Sequence, residues 1–167
     1  MLSEKMAQAL NIQVNKEMYS AYLYMAMSAS CTSLGLKGFA NWFMVQYQEE
    51  MAHAMKFYDY IHSQGNQVKL MVIDQPQIDF DSPLAMFEKT LAHEKFVTGL
   101  IHGLVDLAGD ENDSSTYAFL QWFVKEQVEE KETAGNLLNR VQSAGESEEA
   151  LMNLDTELAG RVFHPPA

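Results

Sequence analysis

The chain has one cysteine, Cys31, and four prolines in 167 residues. A lone thiol cannot close an internal disulfide, and it excludes a thiolate zinc site and any C-x-x-C rubredoxin-like module. Positive charge is also scarce. Lys and Arg number 11 against 23 Asp and Glu, giving a formal net charge of −12, which argues against nucleic acid as a partner. No stretch approaches the roughly 18 consecutive apolar residues needed to cross a bilayer. No apolar h-region follows the mixed charges of Met1 to Lys5, so a secretory signal is not expected either. These absences point to a cytoplasmic chain with neither membrane nor nucleic-acid partners. The acid excess would attract cations, but solvated acidic faces produce the same balance.

What the chain does have is hydrophobic residues, at 47%, arranged with helical periodicity. Residues 1–167 read as a single all-α domain: a four-helix bundle over 1–145, then a short fifth helix and tail over 146–167. The first helix spans about 4–33, with Ser3 as N-cap and Gly35 near its end. The second spans about 37–64 and stops at Gly65, placed as a C′ glycine. Ser82-Pro83 starts a third helix, expected to end near Ala108 at Gly109. After the polar turn from Asp110 to Ser115, a fourth helix runs to about Ala144. The fifth covers 147–161 with Ser147 as cap, and the tail from Phe163 to Ala167 reads as extended.

The three-residue link between the first two helices makes them antiparallel neighbours. The segment from Asn66 to Ser82 is longer than a structureless loop ought to be. However, about 16 extended residues at roughly 3.3 Å each reach about 50 Å, enough to run the length of a helix of about 28 residues, roughly 42 Å. It is therefore read as a crossover that makes the second and third helices parallel. Its alternating apolar residues, Val68, Leu70 and Val72, suggest a surface position against another subunit.

Each long helix carries one acid in its apolar stripe. Glu17 follows Met6, Leu10 and Val14; Glu50 lies between Phe43 and Phe57; Glu94 interrupts Leu91 and Ile101; Glu130 follows Phe123 and Gln127. All four fall within about a turn of their helix midpoints, so packed helices would bring them to one level. Glu50 and His53 form a Glu-x-x-His pair on one face. Such a pair is common on helix surfaces by itself; the matching depth of the other acids gives it meaning. Burying four carboxylates at several kcal/mol each would exceed the roughly 5–15 kcal/mol net stability of a domain. The groups must either share protons or bind metal. Oxygen ligands with one imidazole suit iron or manganese, although raw affinity would also admit zinc and copper.

Together, Glu17, Tyr24, the run Glu49-Glu50-Met51-Ala52-His53, Glu94 and the run Glu126-Gln127-Val128-Glu129-Glu130 resemble the bacterial non-haem ferritins, members of the ferritin-like di-iron carboxylate superfamily. The match in spacing extends over essentially the whole chain. Bacterioferritins typically carry a second Glu-x-x-His on the fourth helix, where this chain has Gln127 and Glu130. The resemblance implies that Glu17, Glu50 and His53 hold one iron and that Glu50 bridges to a second, held with Glu94 and Glu130. Gln127 would coordinate weakly or stand behind the ligands. Glu49, Glu126, Glu129 and Glu130 match a third iron site. Tyr24 would hydrogen-bond at the centre and supply an electron, with Trp122 a second candidate. The implied activity is that of a ferroxidase, oxidising Fe(II) with O2 or H2O2 and depositing ferric mineral inside a homo-oligomeric shell of 24 subunits.

Other readings remain beside this one. A haem-binding bacterioferritin-like protein would use Met51, but methionine is abundant here, at 11 residues, and more often fills core gaps. A non-storage di-iron oxidase or peroxidase would form a small oligomer. A purely structural bundle would hold its acids by hydrogen bonds. A DNA-protecting mini-ferritin fits poorly, since it lacks a fifth helix and often carries a basic tail. His62, His93, His102 and His164 have no assigned role, although His93 adjoins Glu94.

Overall fold

The computed structural model describes residues 1–166 and contains five helices among them: α1 (Glu4–Ser33), α2 (Lys37–Ser63), α3 (Pro83–Asp110), α4 (Ser114–Ala144) and α5 (Glu148–Leu158). The fold is the expected all-α bundle. Ala167, the last residue of the tail, lies outside the described residues. No helix among them is long and apolar enough to cross a membrane.

Helix starts follow their caps. The Ser3, Ser82, Asp113 and Ser147 side chains accept from the backbone N–H groups of Met6, Ala85, Thr116 and Ala150, which relieves one orphan donor in each first turn. Leu36, the N-cap of α2, supplies no such bond, and Asp155 of α5 replaces it. Its Oδ1 accepts from Phe39 N at 2.9 Å, so the fifth helix caps the second across the fold.

Two helix ends differ from the expected ones. α3 does not stop at Gly109 but continues to Asp110, because the residue in the left-handed conformation is Asn112 (φ 54°). The Asp113 N–H then bonds back to Ala108 O, the closure that Leu36 and Asn66 make after Gly35 and Gly65. Asparagine tolerates positive φ, so the glycine rule placed the boundary too early. α5 is likewise shorter than the expected 147–161. It ends at Leu158, and the Asn41 side chain takes over the freed carbonyls of Leu158, Ala159 and Arg161 at 3.1, 3.4 and 3.0 Å.

Hydrogen bonds trace the crossover. Lys69 N donates to Asn11 Oδ1, the Asn15 amide donates to Val72 O, and Ser30 Oγ donates to Ile78 O. The segment thus climbs α1 from its N-terminal to its C-terminal end and delivers α3 there, antiparallel to α1 and parallel to α2. The long single crossover is therefore used as its reach suggested. Leu70, Val72 and Ile78 remain exposed on it.

Packing divides the interior in two. One apolar cluster joins Leu23, Met27, Phe39, Phe43, Phe87 and Val141 with Leu154 and Leu158 of α5. The other joins Met6, Leu10, Phe57, Ile61, Ile101, Leu120 and Phe123. Between them lies a layer of buried polar side chains: Glu17, Gln46, Glu50, His53, Glu94, Gln127 and Glu130.

Gly38 is where α5 approaches α2 most closely. A Cβ there would stand 1.6 Å from the Asp155 carbonyl oxygen, which is backbone and cannot swing away. Gly38→Ala is expected to destabilise the fold by about 1–3 kcal/mol, as overpacking does. Lowered thermal stability together with greater proteolysis of the C-terminal segment would show it; unchanged values would contradict this packing.

Candidate metal centre

Each long helix contributes to the polar layer at mid-length because its acid occupies a core position of the stripe. Glu17, Glu50 and Glu94 are 1–2% exposed and Glu130 is 7% exposed. Two sets of ligand atoms fall within 4.8 Å of one another: Glu17 with Glu50 and His53, and Glu50 with Glu94 and Glu130. Glu50 belongs to both. Two cations would therefore sit side by side with one carboxylate between them, a geometry suited to bridging.

The surrounding groups orient these acids. The Gln13 amide donates to Glu17 Oε1 at 2.7 Å, and Gln46 Nε2 donates to Glu130 Oε2 at 3.0 Å. Tyr24 OH donates to Glu94 Oε1 through a short hydrogen bond. The Gln127 amide bonds Glu94 Oε2 and Thr98 Oγ1, both at 3.2 Å. Gln127 thus offers its nitrogen to the acid that faces the centre. His53 Nδ1 stands 3.3 Å from Glu50 Oε2, but off the angle of a hydrogen bond. Among the described residues, Glu50 Oε2 is the one buried side-chain nitrogen or oxygen with no hydrogen-bond partner. A buried carboxylate oxygen that makes no hydrogen bond, with His53 as its nearest charged neighbour, is costly, and a cation is a partner its surroundings can accept.

Electrostatics agree. Burial, reinforced by repulsion from Glu94, holds Glu50 well above the ordinary carboxylate range. The same two causes push Glu130 up to about 8. Burial raises Glu94 too, against the opposing hydrogen bond from Tyr24. Burial raises the Tyr24 phenol further, so it stays protonated and remains a donor. For His53, burial pulls downward, but the nearby carboxylates of Glu126 and Glu50 prevail and raise it well above its usual value. Without a cation, Glu130 keeps a proton near neutrality, and Glu50 and Glu94 hold theirs to higher pH than an ordinary carboxyl does.

The remaining sequence-singled acids separate. Glu126 lies 3.6 Å from His53 Nε2 and forms a third close set with His53 and Glu130. Glu129 is exposed. Glu49, next to Glu50 in sequence, joins none of these sets; its carboxylate is bonded to Arg161 at 2.7 Å. Trp122 packs edge-on to His53, with ring centroids 5.5 Å apart. His93 joins none of these sets; it shares a 2.7 Å hydrogen bond with Ser20 Oγ, and burial together with Lys89 lowers it to about 4. Met51 lines a small apolar cavity of about 270 Å³ with Met18, Tyr22, Tyr47 and Ile73.

Sequence reasoning gave no role to Gln13, Gln46 or Arg161. The two glutamines carried a usable signal, since each lies one turn before an acid on the same face: Gln13 before Glu17, and Gln46 before Glu50. Arg161 carried none, because it reaches the layer from beyond α5 by a contact 112 residues distant in sequence.

Four helices joined by one long crossover, with an acid from each and an imidazole meeting at mid-depth, define a carboxylate bundle of the ferritin-like class. The family profile of the ferritin-like domain matches residues 7–144. The bacterial non-heme ferritin of Staphylococcus aureus is 38% identical over 163 residues, covering 98% of both chains. That of Staphylococcus saprophyticus is 42% identical over 166 residues with the same coverage. Among solved structures, an engineered closed form of the Archaeoglobus fulgidus ferritin superposes with a TM-score of 0.97 at 49% identity, covering 98% of this chain and all of that one. The open-pore ferritin of the same archaeon matches with a TM-score of 0.96 at 49% identity, over 97% of this chain and 100% of that one. The chain belongs to the ferritin family.

Proposed function

We propose that the protein stores iron and limits its toxicity by oxidising Fe2+ at the Glu17/Glu50/His53 and Glu50/Glu94/Glu130 sets. The nearly inaccessible Glu50 carboxylate, common to both sets and with one oxygen that makes no hydrogen bond, is the observation that carries this reading. Entry of two Fe2+ displaces the protons held by Glu50, Glu94 and Glu130 and replaces mutual repulsion with shared attraction. The bound pair then gives up two electrons together. With dioxygen the balance is 2 Fe2+ + O2 + 2 H+ → 2 Fe3+ + H2O2; with peroxide it is 2 Fe2+ + H2O2 + 2 H+ → 2 Fe3+ + 2 H2O.

Tyr24 keeps Glu94 Oε1 turned toward its phenol and leaves the other oxygen to Gln127 and the metal side. It is also the aromatic group placed to supply an electron. Fe3+ leaves past Glu126, half-buried beside His53, toward exposed Glu129 on α4. The ferric mineral collects inside a hollow cytoplasmic homo-oligomer of 24 subunits, each a single domain whose α5 and crossover face neighbouring copies.

Stopped-flow mixing of the metal-free protein with Fe2+ and either O2 or H2O2, with particle mass determined on the same sample, tests this. Rapid oxidation, hundreds of iron atoms retained per particle and a closed high-mass assembly are expected. Oxidation without retained iron in a small oligomer would instead mark a non-storage oxidase, and absence of Fe2+ binding would mark a structural bundle.

A further inference from the structure

Arg161 lies three residues past the end of α5, yet its guanidinium reaches the edge of the polar layer. Nη2 donates to Glu49 Oε2 at 2.7 Å and to Gln46 Oε1 at 2.6 Å, Nη1 donates to Trp42 O at 3.2 Å, and the group stacks 4.6 Å over the Trp42 ring. Its placement is over-determined. Gly38 admits α5 against α2, Asp155 ties α5 to the Phe39 amide, and the Asn41 side chain grips the Arg161 carbonyl.

This grip has two effects at the site. Because Gln46 Oε1 is engaged by the guanidinium, its amide nitrogen is turned toward Glu130, so Arg161 fixes the hydrogen bond that orients a carboxylate facing the centre. Glu49 is meanwhile held with a cation already paired to it and stands apart from the set formed by His53, Glu126 and Glu130. Two divalent ions already offset most of the charge of Glu17, Glu50, Glu94, Glu126 and Glu130, and Glu49, within electrostatic reach of His53, Glu126 and Glu130, is the further carboxylate a third ion beside that set could draw in.

We propose that Arg161 is a positioning residue that acts as a resident counter-cation, withholding Glu49 from a third metal ion so that the third ion binds only by displacing the guanidinium. This rests on the reading that the Glu50-centred sets bind metal. The subunit thus takes two ions tightly and a third weakly, and a residue of the C-terminal tail sets that difference.

Zn2+ serves as a redox-silent probe. Calorimetric titration of the intact assembly should give two tight ions per subunit in the wild type. R161Q should bind a third ion at least about tenfold more tightly than the wild type, and the R161Q/E49Q double variant should lose that gain. R161K, which keeps the charge, should stay within about threefold of the wild type. A tail that merely braces the fold would not produce this pattern. In a W122F background Trp42 is the remaining tryptophan of two. Its emission should stay constant through the first two equivalents of Zn2+ and change with the third as Arg161 leaves the ring; this readout does not require R161Q to fold. Third-ion affinity unchanged in R161Q, a gain that survives E49Q, or Trp42 emission indifferent to the third ion would each overturn the proposal. A wild type that binds no Zn2+ at all would instead sink the underlying reading of the centre.

Discussion

Glu50→Ala will lower the initial rate of Fe2+ oxidation by about a hundredfold or more, and His53→Ala by about tenfold to a hundredfold. Removing groups that only support a ligand typically weakens metal affinity about 10- to 100-fold, and Glu50 does more, belonging to both ligand sets. His53 belongs to the Glu17 side and to the set with Glu126 and Glu130, so its loss leaves the Glu50/Glu94/Glu130 set intact. Stopped-flow absorbance of Fe3+ formation measures both rates. A second consequence separates this reading from a structural one. In the metal-free protein Glu50 Oε2 is buried without a hydrogen bond, its nearest polar neighbour being His53 Nδ1 at 3.3 Å, whereas a glutamine of the same shape offers an amide to the neighbouring acids. Glu50→Gln should therefore raise the stability of the metal-free protein by about 1–3 kcal/mol while abolishing fast oxidation. Were Glu50 a structural acid, the same change would lower stability and leave the iron chemistry as it was.

The metal-free protein should also lose stability as pH rises from about 5 to about 8. Glu130 is pushed up to about 8 in the fold, above its unfolded value, and Glu50 and Glu94 are raised as well. A carboxyl with a raised folded-state value binds more protons folded than unfolded between the two values, so its contribution is complete at the acid end and fades as pH climbs through the folded value. Each such group removes up to about 1.4 kcal/mol of stability per pH unit inside its window. His53, also raised in the fold, acts in the same direction. Saturating divalent metal should erase the slope, because the cation takes the place of the protons. Thermal unfolding at pH 5, 6.5 and 8, with and without Zn2+, measures it. A metal-free protein equally stable at all three, or metal that stabilises no better at pH 8 than at pH 5, would show that these acids are not held protonated against one another.

Much of this architecture could be read from the sequence because its signals are local. Caps at Ser3, Ser82 and Ser147 marked helix starts, and the reach of an extended segment required a crossover whose course Asn11, Asn15 and Ser30 now trace. The common depth of Glu17, Glu50, Glu94 and Glu130 was legible because a helix rises a fixed distance per residue. What stayed hidden depends on tertiary contact. Asn112 ends α3 in place of a glycine, Asp155 caps a helix remote from its own, and Arg161 captures Glu49, which its neighbour Glu50 does not resemble in surroundings. Helical spacing put Glu50 in the apolar stripe and left Glu49 outside it, but could not name the partner of Glu49. They differ because one faces the layer between two apolar clusters and the other faces the tail.

The most direct measurement is the anomalous difference map of a crystal soaked anaerobically with Fe2+. Two strong peaks are expected per subunit, one among Glu17, Glu50 and His53 and one among Glu50, Glu94 and Glu130, with Glu50 oxygens directed at both. Peaks confined to the outer surface, or an interior that stays free of iron while Glu50 Oε2 finds another partner, would contradict the reading of this layer as a metal centre.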